Sequence, residues 1–129
     1  MAEPRISGLN HIHVVCSDLP ASESWFLDGV GAELVERRES RGIPTSELRL
    51  GGIRVLLRAA SKDENRADGE QRKYGTDHFG LDVTDVDALV EKLRARGIEI
   101  AREPENSPRN RVAFITGPDN LVIELVQPP

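Results

Sequence analysis

Cysteine is almost absent from this chain, with Cys16 the only one among 129 residues. No intrachain disulfide can form, and a zinc cage built on cysteines is excluded. Cys16 itself lies in an apolar run, where it reads as a small buried hydrophobe. Aromatic residues are scarce at 4%, so the stacking platforms that hold single-stranded nucleic acids are missing. No polybasic block occurs. The 22 acidic residues outnumber the 17 basic ones, for a net charge of −5, and a phosphate backbone would meet no positive surface. No apolar run approaches the ~20 residues of a membrane-spanning helix. No basic-then-apolar stretch at the start reads as a signal peptide. A cytoplasmic, soluble protein with a small-molecule partner is therefore expected, with neither nucleic acid nor membrane as partner. The length fits one domain with a modest core.

What is present is a repeat. "NHIHVVCSDLPASESWFLDGVGAEL" and "DHFGLDVTDVDALVEKLRARGIEI" follow one plan. Each opens with a polar residue and a histidine, then a strand-length apolar stretch. Ser-Asp or Thr-Asp comes next and can cap a helix by accepting from its free N–H groups. A helical segment then runs to a glycine and a short strand. In the second copy Val86, Leu89, Val90 and Leu93 form one apolar stripe, and Gly97 suits a left-handed stop. In the first, Pro20 opens the helix, Trp25 and Phe26 anchor it, and Gly29 and Gly31 end it. Two further strands follow in each half. "TSELRL" and "IRVLLRA" turn at Gly51-Gly52, and "RVAFIT" and "LVIELVQ" turn at "GPDN". "REPENSPRN" before the last hairpin reads as irregular.

Each half thus reads β-α-β-β-β, and the fold class is α+β. The modules cover roughly 7–60 and 76–127, joined by a polar connector over 61–75. His78 follows His11 by 67 residues, Gly97 follows Gly31 by 66, and Glu124 follows Leu56 by 68. This near-constant offset makes His11 equivalent to His78 and Leu56 equivalent to Glu124. Two such modules around a pseudo-two-fold axis would form a curved mixed sheet, a cup whose concave side holds His11, His78 and Glu124.

Two imidazoles and one carboxylate in one cavity would bind a divalent metal: iron(II) first, or manganese, nickel, cobalt or zinc. A cation would also give Glu124 a partner within its apolar strand, where an unpaired buried charge costs several kcal/mol or more. The plainer alternative is that each histidine is merely hydrogen-bonded or exposed and Glu124 points outward at a sheet edge. His13 lies two residues from His11, so on a strand it shares that face. It could replace His11 as ligand, act as a general base, or line a polar wall.

These stretches resemble the vicinal oxygen chelate superfamily, which contains glyoxalase I, methylmalonyl-CoA epimerase, extradiol dioxygenases and bleomycin- or fosfomycin-resistance proteins. "NHIHVVCSDLPASESWF" is similar to the first module's opening and "DHFGLDVTDVDALVEKLRARGIEI" to the second's. "RVAFITGPDNLVIELVQ" is similar to the final hairpin. The resemblance covers nearly the whole chain. It implies paired βαβββ modules around a divalent metal, with ligand roles for His11, His78 and Glu124. It also marks a departure: glyoxalase I and the epimerase add a Glu or Gln where this chain has Leu56, which cannot coordinate.

A three-ligand set of two histidines and a carboxylate leads first to dioxygenase-like chemistry on a substrate chelated through adjacent oxygens. The alternative is a glyoxalase-type lyase or isomerase, in which proton transfer passes through an enediolate. A third reading is a metal-free drug-binding resistance protein. Leu56 and Phe114 are expected in the substrate pocket, and Arg49, Arg54 and Arg58 could face an anionic group. A homodimer is expected, and the cup could be completed within one chain or between two.

Overall fold

The computed structural model describes residues 4–62, 64 and 74–129. Two four-stranded mixed sheets are built on one plan. β1 (Ile12–Cys16), α1 (Leu19–Ser24), β2 (Glu33–Ser40), β3 (Ile43–Leu50) and β4 (Ile53–Ala59) form the first module. β5 (Phe79–Asp82), α2 (Val86–Ala95), β6 (Glu99–Asn106), β7 (Arg111–Thr116) and β8 (Val122–Gln127) form the second. The strand orders are β1-β4-β3-β2 and β5-β8-β7-β6. β1 lies parallel to β4 and β5 parallel to β8, while the other pairings are antiparallel.

The local chemistry explains the elements. Asp18 accepts from the Ala21 N–H and Asp85 from the Ala88 N–H, both at 3.1 Å, so the two caps expected from sequence are aspartates in matched positions. After α1 the chain widens into one π-type turn over Trp25–Gly29, burying Phe26. Gly51 and Gly52 both take positive φ, 57° and 84°, the backbone a two-residue hairpin turn with right-handed strand twist demands.

Two strands are longer than the sequence suggests. β2 continues through the charged run "VERRES", and β6 runs through "REPEN", the stretch read as irregular. Both are edge strands. Charge there discourages edge-to-edge aggregation, and Pro104 loses no ladder bond that a central strand would need. The connector expected over 61–75 falls mostly outside the described residues.

One apolar core spans both modules. Phe26, Leu48, Val55 and Leu57 from the first meet Val86, Val90, Ile115 and Ile123 from the second. Polar contacts bind the modules as well. The Ser17 N–H and Oγ–H both donate to Asp119, at 3.0 and 2.6 Å, and Arg96 donates to the Gly29 carbonyl at 2.9 Å. Trp25 lies flat enough on Gly117 that a Cβ there would approach its ring to 3.0 Å.

Candidate metal and substrate site

The β-ladders confirm the internal offset directly. β1 places His13 opposite Leu56, and β5 places Gly80 opposite Glu124. Positions 13 and 80 are 67 apart, and 56 and 124 are 68 apart. His11 and His78 therefore stand two residues before equivalent points. Side chains alternate along a strand, so one face of the first sheet carries His11, His13, Leu56 and Glu47. The matching face of the second carries His78, Glu124 and Phe114, with Glu124 opposite Phe114.

On the second sheet the expected residues meet. His78 Nε2 lies 3.2 Å from Glu124 Oε1, and Phe114 packs edge-on against the imidazole, with centroids 5.3 Å apart. The guanidinium of Arg102 covers the Phe114 ring at 5.5 Å. Gly80 stands beside Glu124, and a Cβ there would make only ordinary contact with Oε1, at 3.8 Å. His78 Nδ1 lies 2.7 Å from Asp77 Oδ2. The Asp77 carboxylate, and after it Glu124, hold the His78 pKa above its ordinary value, with partial burial opposing them.

His11 is not part of this group. Among the described residues no three His, Cys, Asp or Glu side chains are placed to hold one metal ion. Of the two arrangements left open by the sequence, a cup completed within one chain or between two, the described residues do not bring His11 to His78 and Glu124 within one chain. The two modules of one chain share a core through their opposite, apolar faces, and this keeps the histidine-bearing faces from closing on each other. His11 remains exposed on the first sheet, its ring centroid 6.0 Å from that of His13.

The first sheet's face is an ordered charged surface. Glu47, with a side chain only 12% exposed, accepts from Arg54 through two bonds of 2.9 Å and from Arg38 at 2.9 Å. These guanidiniums, Arg54 foremost, hold its pKa down to about 2. Arg58 grips Glu64 through two bonds of 2.6 Å. Arg54 and Arg58, considered as free cations for an anionic substrate, are thus already paired, whereas Arg49 is exposed. His13 makes no hydrogen bond to a described residue. Partial burial, then the fields of Arg58, His11 and Arg38, lower its pKa, leaving a neutral imidazole at pH 7.

The donor chemistry of the second sheet fits a cation. The Asp77 carboxylate only accepts, so in neutral His78 the proton sits on Nδ1 and the Nε2 lone pair faces the Glu124 carboxylate. A proton on Nε2, or a metal ion in its place, would bridge the two atoms 3.2 Å apart, and the raised pKa of His78 reflects the same preference for positive charge there. Imidazole nitrogen and carboxylate oxygen both bind divalent ions at about 2.0–2.2 Å, so two such donors on one ion lie roughly 3 Å apart, as His78 Nε2 and Glu124 Oε1 do at 3.2 Å. Paired βαβββ modules of this order define the class of fold to which the chain belongs. The chain belongs to the Glyoxalase/Bleomycin resistance protein/Dioxygenase superfamily, whose family model matches residues 8–125.

Particular relatives follow. The chain is 27% identical to the uncharacterized protein YwkD of Bacillus subtilis, over 95% of this chain and 98% of that protein. It is 26% identical to a probable lactoylglutathione lyase of Synechocystis, over 92% and 94% respectively. In structure it is similar to TnmS3, an antibiotic binding protein from Streptomyces sp. CB03234, with TM-score 0.78, 25% identity, and coverage of 98% of this chain and 100% of that one.

Proposed function

We propose that this protein is a divalent-metal-dependent enzyme of glyoxalase type, a lyase or isomerase that moves a proton on a substrate chelated through adjacent oxygens. The observation that carries the reading is the His78–Glu124 pair, an imidazole nitrogen and a carboxylate oxygen 3.2 Å apart, where one cation can bridge them. A purely ligand-binding module, the role the likeness to TnmS3 suggests, has no use for such a pair. The similarity to a probable lactoylglutathione lyase over nearly the full length of both chains supports the lyase side.

The third donor is His11 of a second copy. β1 and β5 are each hydrogen-bonded on one side only, and the segment before β1 leaves Ile6 94% and Leu9 75% exposed. A two-fold dimer that sets β1 of one chain beside β5 of the other closes the first module's face over the second's. It covers those apolar side chains and makes two equivalent sites. Each site then holds His11 from one copy with His78 and Glu124 from the other.

His11, His78 and Glu124 would hold the ion, which would supply Lewis acidity to the substrate oxygens. The chain's own residues supply the rest. His13, neutral and without a hydrogen-bond partner among the described residues, takes and returns the proton. Glu47 cannot share that task, because the guanidiniums of Arg54 and Arg38 hold its pKa at about 2 and make it too weak a base. Leu56 and Phe114 give the substrate's carbon atoms apolar walls.

Leu56 also favours a second reading. Without a fourth protein donor the set matches that of oxygen-using iron(II) sites, which is the dioxygenase-like chemistry read first from the sequence. One paired assay decides. Protein loaded anaerobically with iron(II) is given a panel of catechols with oxygen uptake recorded, and nickel- or zinc-loaded protein is given hemithioacetals. Turnover of hemithioacetals without oxygen uptake is expected. Oxygen uptake alone would transfer the proposal to the dioxygenase.

A further inference from the structure

Both histidines are preceded by a residue whose side chain reaches the ring's other nitrogen. Asp77 meets His78 Nδ1 and Asn10 meets His11 Nδ1, each at 2.7 Å. At Asn10 a further contact removes the ambiguity of the amide. Arg54 Nη1 lies 3.1 Å from the same atom, and because a guanidinium can only donate, that atom is the oxygen. An oxygen that only accepts forces His11 to carry its proton on Nδ1. In the neutral ring Nε2 is then left with a free lone pair.

We propose that Asn10 is a positioning residue: its side-chain oxygen, held by Arg54 on Glu47, fixes the His11 ring with Nδ1 protonated and Nε2 open to a metal. Arg54 is anchored twice on Glu47, and Glu47 is held again by Arg38. A relay of side chains from β2, β3 and β4 thus ends, through Arg54, on one amide oxygen. The arrangement explains why an exposed surface spends its arginines internally: the charged network orients a ligand instead of meeting substrate. Asp77 orients His78 in the same way with a full charge, so the two modules repeat the device with a neutral and an anionic acceptor. Orienting partners of this kind commonly set metal affinity by about 10–100-fold.

The inference rests on His11 as a metal donor, and its test separates the two claims. Nitrogen NMR of the histidine rings in metal-free protein reads the tautomer directly. Wild type is expected to show His11 protonated on Nδ1. Asn10→Ala is expected to lose that single tautomer and to weaken manganese or nickel binding by about 10–100-fold. Asn10→Asp retains an accepting oxygen and is expected to restore both. Arg54→Met, which frees the amide to turn over, is expected to mix the His11 tautomers while leaving His78 unchanged. An Asn10→Ala protein that keeps the Nδ1-protonated ring and wild-type metal affinity would overturn the proposal. Wild-type protein that binds no metal would sink the function proposed above, yet the ring tautomers would still decide the role of Asn10.

Discussion

Replacing Glu124 by glutamine tests the acceptor pair more finely than deleting it. The amide keeps the shape of the side chain, removes its charge and brings an N–H donor that can turn to His78 Nε2, now 3.2 Å from a carboxylate oxygen. Without metal, the carboxylate that favours protonated His78 is exchanged for a neutral amide, so the His78 pKa of the metal-free variant should fall. With metal the loss is larger. Loss of an orienting neighbour alone costs about 10–100-fold in affinity, so loss of a charged donor should cost at least about 100-fold, or ~2.8 kcal/mol. At a free metal concentration of 100 times the wild-type Kd, binding stabilises wild type by about 2.7 kcal/mol, but the variant by only about 0.4 kcal/mol. For a chain of this size each kcal/mol moves Tm by about 3–5 °C. Metal should therefore raise the wild-type Tm by about 8–13 °C and the variant's by about 1–2 °C. Differential scanning calorimetry at fixed protomer concentration, with manganese or nickel, reads both numbers. Equal metal-induced shifts in the two proteins would refute the assignment of Glu124 as a donor.

Three other outcomes are expected. His13→Gln should lower kcat by about 100-fold or more, the usual contribution of a positioned acid or base, with metal content unchanged; metal analysis beside steady-state kinetics checks both. Leu57→Ala, at a fully buried core position, should cost about 2–5 kcal/mol in urea unfolding, whereas Asp119→Ala, which removes the exposed clasp on Ser17, should cost about 1 kcal/mol. Glu47 and Glu64 have folded pKa values of about 2, below their unfolded values. Their contribution to stability is complete above the ordinary carboxylate range and is lost as pH falls toward 2, so denaturant midpoints should fall over that window, and less steeply in Glu47→Gln.

Much of this architecture was legible in the sequence, for identifiable reasons. β4 and β7, "IRVLLRA" and "RVAFIT", are central strands whose apolar and β-branched residues are bounded by turn chemistry, and their limits match the reading. The aspartate caps and the Gly51-Gly52 turn were equally plain. The extensions of β2 and β6 were hidden because an edge strand exposed on both faces has no apolar alternation to display. The equivalence of Leu56 with Glu124 followed from the offset, and the ladder register bears it out. The place of His11 did not follow. A repeat states which residues are equivalent, but it does not say whether equivalent faces close within a chain or between chains. That depends on which faces of the two modules share the core. Asn10 and Asp77 carried a signal, a hydrogen-bonding residue before each histidine, but its meaning needed the contacts with Nδ1 and Arg54.

The central claim is that each metal site takes His11 from one chain and His78 with Glu124 from another. Mixing His11→Ala chains with Glu124→Ala chains, after dissociation and reassociation, tests it directly. Either variant alone should hold no tightly bound metal. A random equal mixture should recover about one quarter of the wild-type metal and activity, because half its dimers are mixed and each mixed dimer has one intact site. A mixture that remains as empty as its two components would contradict a site shared between chains.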